Sequence, residues 1–155
     1  MSFAMIFSII IIIAILGVAI YVINTFLGLQ KCTEQSLFYD ELQKEVDRVW
    51  NSERTVTTFT GRLPRGVDSV CFGNSDSVNP AYREEYEVFR RYFRVDANLF
   101  LYPPEQACDP EYLTLEHASF EELGGFTCFE ADGREVKIGI EKGSFDPLVR
   151  IVKNE

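Results

Sequence analysis

Hydrophobic positions in this chain fall into two unequal regimes. From Met1 to Gln30 no side chain carries a charge, and the apolar run from Phe3 to Leu29 is broken only by small residues, Asn24 and single hydroxyls. As a helix that run spans about 40 Å, against roughly 30 Å for the hydrocarbon core of a bilayer. Ile9 to Ile13 are five consecutive β-branched residues that would suit a strand in water. A lone strand in lipid leaves its backbone groups unpaired, whereas a helix satisfies them internally, so the run predicts a transmembrane helix over residues 1–30. A secretory signal would show a basic start and an apolar core of about 7–15 residues. This chain has no Lys or Arg before Lys31, and Leu29-Gln30-Lys31-Cys32 lacks the small residues of a lipobox, so an uncleaved anchor is expected.

From Thr33 to Trp50 the pattern becomes amphipathic: Leu37, Phe38, Leu42, Val46, Val49 and Trp50 recur at helical spacing, with Glu34, Asp40, Glu41, Lys44, Asp47 and Arg48 opposite. The anchor helix is expected to continue over 33–51 and to lay Leu37, Phe38, Leu42, Val46 and Trp50 on a globular core. A break near Gly28, giving two helices, is the alternative.

Beyond Asn51-Ser52 the texture is β. Thr55–Thr60, mostly threonine, reads as an edge strand, Leu63-Pro64-Arg65-Gly66 as a turn and Val67–Phe72 as a second strand. Pro80 opens a second helix with Asn79 as its cap, and Tyr82, Tyr86, Phe89 and Phe93 form an aromatic stripe, expected in the core rather than at a binding surface. Asn98–Tyr102 and Tyr112–Leu115 are short strand candidates, and Ser119–Leu123 a helical turn closed by Gly124-Gly125. Phe126–Ala131, the pair Asp132-Gly133 and Arg134–Glu141 predict a β-hairpin, and Leu148–Val152 a last strand after Pro147. The fold class expected is α+β: a long N-terminal helix, transmembrane then amphipathic, packed on a mainly antiparallel β-sheet with one additional helix. Residues 31–155 form one domain, since so short a stretch can bury only one core.

All charges lie after Gln30 and sum to −9. That balance argues against nucleic acid or an anionic membrane surface as partner, although plain solubility also explains it. Cys32, Cys71, Cys108 and Cys128 are even in number and widely spaced, which suits two disulfides in an oxidising compartment. Basic residues near the span (Lys31, Lys44, Arg48) would alone hold the domain in the cytoplasm. The cysteines are given the greater weight, and the C-terminal domain of a single-pass cell-membrane protein is expected outside. Four cysteines allow three pairings. Cys32 lies at the membrane end of the helix and Cys71 near the end of a strand after a tight turn, so Cys32–Cys71 and Cys108–Cys128 are expected.

No Cys-x-x-Cys or second histidine accompanies these cysteines, so neither a metal nor a cofactor is expected. His117 beside Glu116 has no evident nucleophile and reads as a surface or rim residue; Ser36, Ser69 and Ser119 lack a Gly-x-Ser-x-Gly setting. Glu84-Glu85 and Glu121-Glu122 are adjacent and point apart. No catalytic activity is expected.

The layout resembles type IV pilin-like proteins, in which a long helix, apolar and then amphipathic, packs on an antiparallel sheet. The chain is also similar to a set of uncharacterised small archaeal single-span membrane proteins, through Phe3-Ala4-Met5-Ile6-Phe7-Ser8-Ile9-Ile10, Val70-Cys71-Phe72, Tyr102-Pro103-Pro104 and Ile140-Glu141-Lys142. That second likeness implies no known activity. Pilins carry a basic leader, and many carry a glutamate early in the mature helix. Here Met5 and Ile6 occupy that region, and no carboxylate precedes Glu34. The reading expected is a membrane-anchored extracytoplasmic structural subunit, pilin-like or part of a surface complex. Its partners would be the lipid bilayer and either copies of itself or a membrane or surface protein complex. A membrane-anchored binding module for a partner protein or ligand is the alternative.

Overall fold

The computed structural model describes residues 3–153; the first two residues of the expected anchor and the last two of the expected domain lie outside them. One helix, α1 (Phe3–Trp50, 48 residues), runs through both regimes without a break at Gly28. Its first half makes no contact that buries it. Its second half buries Gln35, Phe38, Leu42, Val46 and Val49, spaced three, four, four and three apart, which is one stripe of a 3.6-residue helix.

This stripe corrects the expected packing face at one position, Leu37. Leu37 is 51% exposed, because it lies a full 100° step off the line through Phe38. Trp50, half-buried at the end of the stripe, packs against the main core as expected. Phe38, Leu42 and Val46 hold the places expected of them. Leu42→Ala is therefore expected to cost about 2–5 kcal/mol of domain stability, and Leu37→Ala no more than about 0.5 kcal/mol, in denaturant unfolding of the detergent-solubilised protein. Similar losses from both would mean that α1 packs on a different face.

Among the described residues eight strands follow: β1 (Thr55–Arg62), β2 (Ser69–Phe72), β3 (Leu99–Tyr102), β4 (Tyr112–Leu113), β5 (Ala118–Ser119), β6 (Thr127–Glu130), β7 (Glu135–Lys142) and β8 (Val149–Val152). They form two four-stranded sheets, ordered β1-β7-β8-β5 and β4-β3-β2-β6. All pairings are antiparallel except β5 with β8. Threonine-rich β1 is an edge strand, as its composition predicts. At Gly61 a Cβ would stand 2.5 Å from the Phe59 ring and 2.7 Å from that of Phe38, so only glycine lets α1 and β1 approach this closely.

The expected hairpin is not one. Asp132 and Glu135 close a tight turn by mutual backbone hydrogen bonds of 2.9 and 3.1 Å, yet β6 pairs with β2 and β7 with β1 and β8. The turn is a corner between sheets. β7 alternates buried Val136, Ile138 and Ile140 with exposed Glu135 and Lys137, as a strand with one wet face should. In β6 Thr127, Cys128 and Phe129 are all buried, because the second sheet, to which β6 belongs, is covered on both faces: Phe129 enters one core and Cys128 the other.

The main core lies between the stripe of α1, the inner face of the first sheet and one face of the second, with Phe38, Phe59, Phe72, Leu101, Ile138 and Ile151 among its members. A smaller core covers the other face of the second sheet, where Cys71, Phe100, Phe126 and Cys128 meet the second helix, α2 (Arg83–Phe89). The Asn79 side chain accepts from the Ala81 N–H at 3.1 Å, the cap the sequence predicts, and 3₁₀ turns extend α2 at both ends to residues 80–95.

Candidate functional site

The apolar half of α1 is exposed on every side from residue 3 to 30. Its hydroxyls turn back onto their own helix: Ser8 Oγ donates to the Ala4 carbonyl (2.9 Å) and Thr25 Oγ1 to that of Tyr21 (3.0 Å). This is how a polar side chain is satisfied where no water is available. By length and composition α1 can cross a membrane.

Where the helix leaves its apolar stretch, four sets of contacts tie it to the domain. Cys32 is bridged to Cys108, with Cα atoms 5.4 Å apart. Gln35, buried in the stripe, donates through Nε2 to the carbonyls of Cys108 (2.8 Å) and Pro110 (2.7 Å), and its Oε1 accepts from the Cys108 N–H (2.7 Å). Glu34 is ion-paired with Arg134, whose guanidinium also donates to the Leu63 carbonyl at 3.0 and 2.8 Å. Lys31 Nζ donates to Gln106 Oε1 at 3.4 Å. The helix is thus clamped within one turn of leaving the apolar segment. Sequence reasoning missed Gln35, although a glutamine in register with Phe38 and Leu42 is itself the signal, since a buried amide needs partners for both ends.

The second disulfide joins Cys71 to Cys128, residues directly opposite on β2 and β6. Both pairings differ from those expected. Cys71 lies on an inner strand of the second sheet, facing the smaller core and away from α1, so it cannot reach Cys32. The segment that does reach Cys32 is the one carrying Cys108, after the 3₁₀ turn Pro104–Gln106.

At the far end of α1 a second set of contacts involves His117. Its backbone is left-handed (φ 60°), and its ring stacks on Trp50 at 3.8 Å between centroids and 7° between planes. Nδ1 lies 3.0 Å from Asp47 Oδ1, while Gln43 donates to Asp47 (2.8 Å) and accepts from the Glu116 N–H (2.9 Å). His117 is a half-buried rim residue whose carboxylate neighbour is Asp47 rather than Glu116. Lys142 Nζ donates to the carbonyls of Trp50 and of Ser52 (3.1 Å), groups left unpaired by the helix end. These contacts position the helix. Burial, and then the charge of nearby Glu111, push the Tyr39 pKa well above its usual value.

The aromatic stripe packs inward. Phe89 is fully buried with its ring 4.9 Å from that of Phe100, Tyr86 meets Phe126 at 5.6 Å, and Phe93 meets Phe100 at 5.2 Å. Tyr82, Tyr86 and Phe93 are half-buried around Phe89, which leaves a filled layer in place of a concave platform. No family model matches the chain, and neither a curated protein nor a solved structure matches it.

Proposed function

We propose that the chain is a membrane-anchored extracytoplasmic structural subunit without catalytic activity, pilin-like or part of a surface complex, of the kind found among small archaeal single-span membrane proteins. The observation that carries this reading is the single unbroken helix. Its first half offers apolar side chains on all sides, and its second half is fixed in a domain by Cys32–Cys108 and the Gln35 contacts. A protein that only needed tethering could use a flexible linker. Here the orientation of domain to anchor is fixed, which suits a part that must present one geometry to its neighbours. Two disulfides support an oxidising compartment and hence a domain outside the cytoplasm. The filled aromatic layer weighs against the alternative of a binding module built on Tyr82, Tyr86, Phe89 and Phe93.

Cross-linking in native membranes before extraction tests the reading. A ladder of multimers, or one discrete adduct with a second membrane protein, is the expected result. A chain that stays monomeric at every cross-linker concentration contradicts it.

A further inference from the structure

The net charge of −9 makes the domain as a whole repel anions, but its charges are not evenly used. At the membrane-facing end lies a notch of about 360 Å³ whose lining includes Leu27, Lys31, Glu34, Arg65 and Gln106. Leu27 belongs to the apolar stretch of α1, so the floor of the notch is continuous with the lipid-facing surface. Lys31, the first charge after that stretch, stands one turn further along.

Arg65 is brought to the same place by the turn between β1 and β2. Gly66 takes φ +86°, and a Cβ there would lie 2.8 Å from Gln106 Oε1, the same atom that Lys31 Nζ contacts at 3.4 Å. The Gln106 amide thus lies against both the Arg65-Gly66 turn and the Lys31 ammonium. Arg65 is exposed and has no hydrogen-bond or ion-pair partner among the described residues. Lys31 has only that long contact to a neutral amide. The one carboxylate of the lining, Glu34, is occupied by Arg134. Two cations left without counter-charges, at the height where an apolar helix surface ends, are complementary to an anionic group carried on an acyl or isoprenoid chain.

We propose that this notch binds the phosphate headgroup of a membrane lipid, with the phosphate between Lys31 and Arg65 and the first part of the hydrocarbon chain along Leu27. The proposal rests on the reading of α1 as membrane-spanning. It sets the height of the domain above the bilayer and gives a predominantly acidic domain one attractive contact with it.

The test is native mass spectrometry of the full-length chain, released from detergent micelles carrying phosphatidylglycerol and a galactolipid with the same acyl chains. At least tenfold preferential retention of phosphatidylglycerol is expected, unaffected by millimolar inorganic phosphate. The double variant Lys31→Gln/Arg65→Gln should bring retention of the two lipids to parity, while Lys31→Arg/Arg65→Lys should preserve the preference. Arg62→Gln, at the end of β1 and outside the notch, should leave it unchanged. Parity in the parent chain, an unaffected Gln double variant or an equal loss in Arg62→Gln would overturn the proposal. Displacement by inorganic phosphate would instead make it a site for free anions. Carbonate washing of native membranes separates the two failures. A chain that resists carbonate yet shows no preference defeats the headgroup site alone, whereas a chain released by carbonate defeats the spanning reading and the site with it.

Discussion

Replacing Ile12 and Leu16 together with lysine is expected to abolish stable membrane insertion, while Ile12→Lys alone leaves most of the chain inserted. From Ile9 to Ile23 the helix presents eleven Ile, Leu and Val residues. At about −0.3 to −0.6 kcal/mol each near the membrane centre they supply roughly −3 to −7 kcal/mol, and a central lysine costs about 2.5–3.5 kcal/mol. One lysine can be offset by the rest of the segment. Two, at positions one helical turn apart on the same face, remove two favourable residues and add about 5–7 kcal/mol, which brings the sum to about zero or above. Carbonate fractionation reads the outcome. If the double variant stays with the membrane as the parent does, the helix is not held there by spanning it.

The Cys71→Ala/Cys128→Ala variant should show a large loss of domain stability while leaving the anchor intact. The bridge joins residues 57 apart in sequence, and the chain-entropy model assigns a loop of that size about 4 kcal/mol. Both cysteines are fully buried against Phe100 and Phe126, so their removal also thins the smaller core. For a domain of this size the melting temperature should fall by roughly 10–20 °C. A shift of less than about 3 °C, outside the range that model allows, would mean that the unfolded chain is not constrained by this bridge.

What could be read from the sequence is what short-range physics fixes. The length and apolarity of residues 3–29, the helical period through Val49, the cap at Asn79, the threonine edge strand and the alternation of Val136, Ile138 and Ile140 are all local, and each appears in the structure where its pattern places it. One error is local, Leu37, a 100° step off the line through Phe38; the others are long-range. Asp132-Gly133 makes its turn, but a turn does not say whether the strands on either side pair with each other. That choice falls to the two-faced burial of Thr127, Cys128 and Phe129, which places β6 in a sheet covered on both faces. The cysteine pairing differs from expectation for the same reason: a place in the chain after a turn does not determine the partner of Cys71, which is set by the register of β2 on β6. The two-residue strand β5, whose partner is Val149–Val152 of β8, and the contact of His117 with Asp47, 70 residues away, and with Trp50 depend on partners distant in the chain and leave no periodic trace. Gln35 was legible in principle, as a polar residue in an apolar stripe.

The central claim, a domain in an oxidising compartment clamped to its own membrane helix, is tested most directly by alkylating intact cells before lysis and mapping the peptides of the extracted protein without reduction. The account predicts no alkylated cysteine and two linked peptide pairs, Cys32 with Cys108 and Cys71 with Cys128. Peptides joining Cys32 to Cys71 or Cys128 would contradict the clamp, and four alkylated thiols would contradict both the clamp and the placement of the domain outside the cytoplasm.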